Sequence, residues 1–304
     1  MKVIEVTEFG GPEVLRPAER EDPAPRPGEL VVRVRAANVN PTDLGARTGH
    51  GPRGVPDPPF VLGWDFAGDV ESVGDGVAEL TPGDRVVGMV QWYDARGEVG
   101  AYAEAIAVEA GWVVPLPDGL DYVPAATIPL NALTAMQGLE LLALQEPATL
   151  LVTGASGAVG GFAVQLAVRA GHSVIATASD GDEEWVSGLG AAQVLPRDAD
   201  LGSLEPLPAV FDAVPLGEPA LAAVQDGGTV VSTRKVPEAD PARRIRQEVF
   251  LIHHDPPALA RLVDDVAQGH LKTRVDRTLP LAEAAQAHRL NEAGGLRGKV
   301  VLVP

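Results

Sequence analysis

The sequence predicts an α/β protein in two parts, a compact β-rich first domain and a doubly wound parallel second domain. Residues 1 to about 117 carry short β-type runs separated by Gly and Pro, a spacing typical of a mostly antiparallel, barrel-like domain. Beyond Pro117-Asp118-Gly119, strand patterns alternate with helix patterns, which indicates a parallel sheet with helices on its faces. A chain of 304 residues also suits two cores better than one.

The candidate strands of the first domain are runs rich in β-branched and apolar residues. They cover residues 3–6, 30–36, 66–73 and 85–90. In the second domain, residues 122–143 predict helices with a break at Pro129. Its strand candidates are residues 150–152, 174–176, 193–195, 210–214, 228–232 and 248–252. Residues 198–208 are too few and too rich in proline for a full helix.

The second domain ends with a predicted helix over 257–268. The C-terminal stretch after it predicts a strand over 271–275, a helix over 281–293 and a last strand over 298–303. This stretch is too short for a third domain, so we expect it to pack on the first domain and to leave a cleft between the two domains. The expected divisions are 1–118, 119–268 and 269–304.

The centre of the chain carries a glycine-rich turn inside a strand-helix-strand unit. Gly154, Gly157 and Gly160 recur at every third position between two apolar runs. Glycines at this spacing permit a tight turn and a close approach of the backbone to a diphosphate, which the N-terminus of the following helix attracts. The turn therefore predicts a dinucleotide site at the carboxyl ends of the strands. The alternative is that these glycines only make a tight connection.

Composition excludes several other classes of function. A net charge of −18 disfavours binding to nucleic acid or to anionic membranes. The absence of cysteine excludes disulfides, thiolate zinc sites, iron-sulfur clusters and a cysteine nucleophile. No apolar run approaches the length of a membrane span and the first residues lack a signal-peptide core, so we expect a cytoplasmic protein.

Eight short stretches, taken together and in their order along the chain, indicate a resemblance to a known family. They are residues 9–15 (FGGPEVL), 38–43 (NVNPTD), 62–68 (LGWDFAG), 82–86 (PGDRV), 100–104 (GAYAE), 133–135 (LTA), 154–160 (GASGAVG) and 297–302 (RGKVVL). In this order the chain resembles the medium-chain dehydrogenase/reductase superfamily, and within it the zinc-independent quinone oxidoreductases related to zeta-crystallin. The resemblance implies a GroES-like first domain, a Rossmann second domain and hydride transfer from NADPH to a quinone or an α,β-unsaturated carbonyl compound.

The zinc-dependent branch of this superfamily holds its metal with a cysteine after the Asn-Val segment and with a His-Glu pair after a glycine. Here those places resemble Pro41-Thr42 and Trp64-Asp65, so we expect no catalytic zinc. His253-His254 is a weak alternative, because adjacent residues of a strand face opposite ways.

The resemblance also assigns candidate residues. Its cofactor-binding positions are Thr134, Gly154, Ser156, Gly157, Ala158, Val159, Gly160, Ala178 and Ser179. Its substrate-pocket candidates are Asn40, Trp64, Asn131 and Phe250, with Trp92 and Tyr93 as further candidates on a loop. For each aromatic residue, simple core packing is an equal alternative. Many relatives have a tyrosine soon after the Asn-Pro-x-Asp segment, whereas residues 44–51 contain none; His50 or water is then the proton donor.

The sequence also bears on the choice between NADPH and NADH. The small residues Ala178 and Ser179 at the end of the second strand favour the 2′-phosphate of NADPH, whereas Asp180 and its acidic neighbours 182–184 oppose it. Compensating cations are available on nearby loops at Arg197, Arg234, Lys235, Arg243 and Arg244. We expect NADPH, with NADH as the alternative.

Two other functions are alternatives to this reaction. The first is a nicotinamide-nucleotide-binding scaffold or sensor of the same fold without turnover. The second, a short-chain dehydrogenase, is disfavoured because about 150 residues precede the glycine turn and no Tyr-x-x-x-Lys pair is present. By resemblance we also expect a homodimer formed through the edge of the dinucleotide-binding sheet.

Overall fold

A computed structural model describes residues 1–304 of the chain and divides them into two compact units. The first unit is Met1–Leu130, His254–His270 and Arg274–Pro304, and the second is Asn131–His253 and Leu271–Thr273. The first unit therefore extends beyond residue 118, because Tyr122 donates a hydrogen bond to Asp69 and the backbone N–H of Leu130 donates one to Asp65 (2.9 Å).

The strands are β1 Lys2–Val6, β2 Leu15–Glu19, β3 Glu29–Asn38, β4 Phe60–Val61, β5 Asp65–Val73, β6 Arg85–Met89, β7 Ala105–Glu109, β8 Val113–Pro115, β9 Thr149–Thr153, β10 Ser173–Ala178, β11 Gln193–Pro196, β12 Leu207–Asp212, β13 Val224–Ser232, β14 Arg246–Val249, β15 Val275–Pro280 and β16 Lys299–Val303. The helices are α1 Pro41–Arg47, α2 Tyr122–Ala125, α3 Pro129–Leu142, α4 Ala158–Arg169, α5 Glu183–Ser187, α6 Glu218–Ala223, α7 Pro256–Ala267 and α8 Ala284–Ala293.

The first unit is built on a mostly antiparallel sheet with the order β15-β16-β3-β5-β6-β8, to which β7 adds by pairing with β3. The last strand, β16, pairs antiparallel with β3. Strand β5 contains Gly68 because a side chain there has no room: a Cβ would lie 2.1 Å from the carbonyl oxygen of Arg33. Close contact between β3 and β5 at this point brings Asn38 and Asp65 together at the end of the sheet.

The second unit is a six-stranded parallel sheet with the order β11-β10-β9-β12-β13-β14. The chain proceeds outward from β9 to β10 and β11, and then continues on the other side with β12, β13 and β14. The direction of winding thus reverses between β9 and β12, and ligands of such sheets bind at the carboxyl ends of the strands at this reversal.

Two segments differ from their predicted structure. Strand β14 ends at Val249, so Phe250 and the His253-His254 pair lie outside it, and residues 271–274 are not a strand. A glutamine side chain binds backbone groups just after the first segment and within the second. The side chain of Gln137 binds both backbone groups of His253, and that of Gln165 binds both of Lys272, at 2.7–3.0 Å. Residues 198–208 hold only a short 3-10 turn, Leu201–Ser203, as expected.

None of the helices is long and apolar enough to cross a lipid bilayer.

Candidate functional site

The glycine turn, residues 154–160, connects the end of β9 to the start of α4. Gly154 has a φ of +65°, which favours glycine. The N–H of Gly154 donates to Oγ1 of Thr177, and the N–H of Ala155 donates to the carbonyl oxygen of Thr177, both at 2.9 Å. Thr177, which the sequence analysis missed, thereby ties the turn to β10. A hydroxyl in the otherwise apolar run 174–178 was the only signal for it.

The second and third glycines of the turn have different surroundings. A Cβ on Gly160 would lie 2.4 Å from the carbonyl oxygen of Gly154, so the turn closes only with glycine at this position. A Cβ on Gly157 would have a single neighbour, the same oxygen at 3.3 Å. Gly157 is exposed and is the N-cap of α4. The space that its missing side chain leaves therefore opens outward, in front of the helix.

The start of α4 offers donors to that space. The N–H groups in the first turn of a helix, here including Ala158, Val159 and Gly160, have no acceptor within the helix, and they carry the positive end of its dipole. Ser156 points its Oγ to the end of β10, where it accepts a hydrogen bond from the N–H of Ser179 (2.9 Å). A narrow turn with open N–H groups fits the diphosphate of a dinucleotide.

The end of β10 carries the residues for which the sequence predicts contact with the ribose of the dinucleotide. Ala178 is buried and Ser179 is partly exposed, while Asp180 is exposed. Ala178 stands opposite Pro196 of the parallel strand β11. Arg197 follows Pro196, so it leaves the sheet beside Ser179 and is exposed there.

The other candidate cations are placed differently. Arg234 and Lys235 follow β13, three strands away from β10 and thus roughly 14 Å across the sheet. Arg243 is engaged by Asp226 (2.9 Å) and by two backbone carbonyl groups. Arg244 follows it on the far side of the sheet, beyond β13.

The remaining candidates of the second unit lie on or against α3. Asn131 and Thr134 are buried on the first turns of this helix. Phe250 is partly exposed, and its ring lies 3.0 Å from where a Cβ on Gly138 would stand. Asn131 and Phe250 are therefore separated by about two helical turns along α3.

In the first unit, three candidate aromatic residues form one cluster. Trp64 packs on Trp92 with 4.7 Å between ring centroids, and the ring of Tyr93 meets both edge-on at 5.5–5.7 Å. Trp92 is fully buried and donates its indole N–H to the carbonyl oxygen of Val61 (2.7 Å), so it supports Trp64 from the core. The hydroxyl oxygen of Tyr93 is buried without a hydrogen-bond partner, and burial raises the pKa of this phenol.

Asn40 and His50 occupy very different surroundings. His50 is exposed, and its Nδ1 lies 3.1 Å from the hydroxyl of Thr48. Asn40 is fully buried, and its amide is held between Lys299 and Asp65: Nζ of Lys299 donates to Oδ1, and Nδ2 donates to Asp65, both at 2.8 Å. The carboxamide of Asn40 is thus committed to the interior of the first unit.

A buried polar network surrounds Asn40. Asp43 accepts hydrogen bonds from the N–H groups of Asn40 (2.7 Å) and Gly63 (2.9 Å), which fixes the start of α1 against the segment before Trp64. Burial raises the pKa of Asp43 to about 8 and that of Asp65 to about 6, and burial lowers the pKa of Lys299 to about 8. The network has two carboxyl groups and one amine, so its charge state depends on pH near neutrality.

A second buried chain links α1 to α8. Arg47 donates to Nδ1 of His288 (3.2 Å), so the imidazole carries its proton on Nε2, which lies 3.1 Å from the hydroxyl of Tyr102. Burial and the nearby Arg47 guanidinium lower the pKa of His288 to about 3. His288 is therefore a neutral structural histidine.

The positions of the zinc ligands in the related branch do not fit a metal here. Both oxygens of Asp65 accept hydrogen bonds, from Leu130 N–H (2.9 Å) and from the side chains of Asn38 (3.1 Å) and Asn40. The neighbouring position is Trp64, which has no donor for zinc. No group of three or more His, Asp or Glu side chains is arranged to hold a metal ion.

Comparison with known proteins decides the family. Residues 26–118 match the alcohol dehydrogenase GroES-like domain, and residues 189–302 match a domain family described as zinc-binding dehydrogenase. A quinone oxidoreductase of Pseudomonas aeruginosa is 30% identical in an alignment that covers 100% of this chain and 99% of the relative. The chain belongs to the zeta-crystallin-like quinone oxidoreductase family of the medium-chain dehydrogenase/reductase superfamily.

Two further proteins are similar to the chain over its whole length. The chloroplastic NADPH-dependent alkenal/one oxidoreductase of Arabidopsis thaliana is 31% identical over 100% of this chain and 80% of its own length. The solved structure of the mycobacterial protein Rv1454c in complex with NADPH superposes with a TM-score of 0.86 at 31% identity, covering 100% of both chains. The present chain is therefore an oxidoreductase that binds a nicotinamide dinucleotide. The GroES-like and Rossmann domains that the sequence predicts are confirmed.

Proposed function

We propose that the protein reduces a quinone or an α,β-unsaturated carbonyl compound with NADPH and without a metal ion. The observation that carries this proposal is the glycine turn, whose outward space at Gly157 faces the open N–H groups of α4. The names of the relatives support the class of substrate. When bound, the dinucleotide supplies the hydride; the protein binds and orients it and shields the reaction from water.

The preference for NADPH rests on the end of β10. A 2′-phosphate needs a small neighbour and a cation, and Ala178, Ser179 and Arg197 provide both at the same edge of the sheet. Asp180 opposes the phosphate from the position after Ser179, so the cation is needed. We propose that Arg197 binds the 2′-phosphate and that Arg234, which follows β13, does not.

The proposed contacts to the rest of the cofactor and to the substrate follow from the resemblance to the family. Ser156 to Gly160 and Gly154 bind the diphosphate, and Thr134 lies near the nicotinamide. Asn131 and Phe250 are the substrate contacts proposed for the second unit, and Trp64 and Tyr93 stay candidates by the resemblance alone. Asn40 and Trp92 support these residues rather than contacting substrate, because both are fully buried and hydrogen-bonded.

The proton that completes the reduction comes from water in this proposal. His50 is exposed, and Tyr93 has a phenol whose pKa is raised by burial, which makes it a poor acid. Replacing His50 by Gln should therefore leave the rate unchanged.

The test is aerobic oxidation of NADPH and of NADH with a panel of quinones and enones. The wild-type protein should turn over at least one class of acceptor with NADPH. Arg197→Ala should raise the KM for NADPH by about tenfold, as expected for one charge-assisted hydrogen bond, and leave that for NADH unchanged. Arg234→Ala is the matched control and should change neither the KM for NADPH nor the KM for NADH. Turnover with NADH alone, or an equal effect of Arg197→Ala on both cofactors, would contradict the NADPH assignment.

A non-catalytic scaffold or sensor is the competing proposal. It predicts ordinary NADPH affinity with no acceptor-dependent oxidation in the same panel. Acceptor-dependent turnover at ordinary enzyme rates eliminates it.

A homodimer formed through the edge strand β14 is also proposed. Val249 and Leu251 at this edge are 50% and 51% exposed, an unusual exposure for large apolar side chains. Val249→Glu should convert a dimer to a monomer in light scattering. A wild-type monomer would refute this proposal without touching the assignment of the reaction.

A further inference from the structure

Asp212 is the last residue of β12, at the point where the winding of the sheet reverses. It stands opposite Thr153 of β9 on one side and opposite Ser232 of β13 on the other. Because Thr153 immediately precedes Gly154, this carboxyl group lies directly beside the glycine turn.

The carboxylate of Asp212 is fully buried and is bound only by neutral donors. One oxygen accepts from the hydroxyl of Thr153 (2.6 Å), and the other accepts from the N–H groups of Leu216 (2.8 Å) and Gly217 (3.3 Å). A buried carboxylate without a cation is costly, and burial raises the pKa of Asp212. The two hydrogen bonds from Leu216 and Gly217 fix the irregular loop 213–217, which follows β12, and the bond from Thr153 ties the same carboxylate to β9.

The hydroxyl of Thr153 also binds the first part of loop 213–217. Val214 donates its N–H to Oγ1 of Thr153 (3.4 Å). The side chain of Val214 lies on the turn, with Cγ1 2.5 Å from where a Cβ on Gly154 would stand. It nevertheless remains 39% exposed. An exposed aliphatic side chain beside a diphosphate-binding turn offers an apolar surface for the ribose or the ring next to the diphosphate.

We propose that Asp212, acting with Thr153, is a positioning residue for the cofactor site, which holds loop 213–217 so that Val214 forms one wall of it. This inference rests on the proposed function only in that a nicotinamide dinucleotide binds at the glycine turn. It adds a loop and a buried carboxylate that no sequence motif identifies.

The test is the Kd for NADPH, measured by titration of its fluorescence on the full-length protein. Thr153→Val removes the hydroxyl and keeps the shape, and should raise Kd by about tenfold, the effect of losing a hydrogen bond to a charged group. Thr153→Ser keeps the hydroxyl and should remain within about twofold of wild type. Thr149→Val is the matched control, because it makes the same change at the opposite end of β9 and should leave Kd unchanged.

Two further variants protect the test against a folding defect. Asp212→Asn preserves shape without the charge and should also raise Kd by about tenfold. Val214→Ala changes only a partly exposed side chain, so it should fold normally and raise Kd by about threefold to tenfold through lost apolar contact. In each weakened variant KM for the cofactor should rise while kcat at saturation stays the same, a split that general loosening of the fold does not produce.

Wild-type affinity in Val214→Ala together with Thr153→Val or Asp212→Asn would overturn the inference. The result of this binding test is independent of whether the protein catalyses the proposed reaction. A protein that binds NADPH with the expected pattern but reduces no acceptor supports this inference and refutes the reaction. A protein that reduces quinones while all of these variants bind normally does the opposite.

Discussion

Replacing Gly157 by Ala should separate binding of the cofactor from stability of the fold. Gly157 has φ −82° and ψ 166°, which any L-residue adopts. The added Cβ would meet only the carbonyl oxygen of Gly154, at 3.3 Å, which a shift of a few tenths of an ångström relieves. We therefore expect the free energy of unfolding to change by no more than about 1 kcal/mol, the scale of changes at an N-cap.

The effect of the same methyl group on the cofactor should be much larger. It would occupy the outward space in front of α4, where the proposed diphosphate approaches the open N–H groups. Loss of a single charge-assisted hydrogen bond from these groups costs about 1.5–3 kcal/mol, which corresponds to a roughly 10- to 100-fold rise in Kd.

Gly160→Ala provides the contrasting perturbation. Its Cβ would lie 2.4 Å from the carbonyl oxygen of Gly154, so the backbone of the turn must move. This variant should lose affinity and also about 1–3 kcal/mol of stability, as overpacked sites do. Gly111→Ala is the control, because Gly111 is exposed and a Cβ there would meet nothing within 4 Å.

The assay pairs NADPH titration with urea unfolding for wild type and the three variants. The expected pattern is weak binding with normal stability for Gly157→Ala, and loss of both for Gly160→Ala. If a normally folded Gly157→Ala protein bound NADPH as tightly as wild type, the diphosphate would not lie at this turn, and the reasoning from the glycine spacing would fail.

Two other predictions concern stability. Gly138→Ala should lower the free energy of unfolding by about 1–3 kcal/mol, because its Cβ would lie 2.2 Å from the ring of Phe211, and Phe211→Leu in the same chain should recover part of the loss in urea unfolding. Burial raises the pKa of Asp43 to about 8, so the native state keeps a proton that the unfolded chain releases above about pH 4. The stability of wild type minus that of Asp43→Asn should therefore fall as pH rises from 5 to 8; a difference that does not vary with pH would contradict the assigned pKa.

The sequence correctly predicted those features of the fold that depend only on residues close together in the chain. The glycine spacing at 154–160, the break at Pro129 and the alternation of strand and helix in the second unit each depend on neighbouring residues. Each also agrees with the structure. Local steric rules are sufficient for such features, since a tight turn needs glycine whatever the rest of the chain does.

Asn40 shows why candidate site residues were harder to assign. A polar residue between apolar runs indicates either a substrate contact or a buried hydrogen bond, and the sequence does not distinguish them. In the structure Asn40 is buried and accepts a hydrogen bond from Lys299, which lies 259 residues further along the chain. The residues around Lys299, which begins an apolar strand, do not indicate that its side chain folds against an asparagine and two carboxyl groups.

Two predicted strands have bounds that differ from the structure. Residues 248–252 and 271–275 have the composition of strands, but β14 ends at Val249 and β15 begins only at Val275. Beside the first segment and within the second, Gln137 on α3 and Gln165 on α4 bind the backbone groups of His253 and Lys272. A glutamine carboxamide offers both an N–H donor and a carbonyl acceptor, as a strand residue does, so one side chain can take the place of a pairing strand at a single residue. Thr177 and Thr153 act similarly at the glycine turn, where hydroxyl groups of β10 and β9 bind loop N–H groups. In this chain polar side chains on regular elements hold the irregular segments, and the proposed cofactor site is one of those segments.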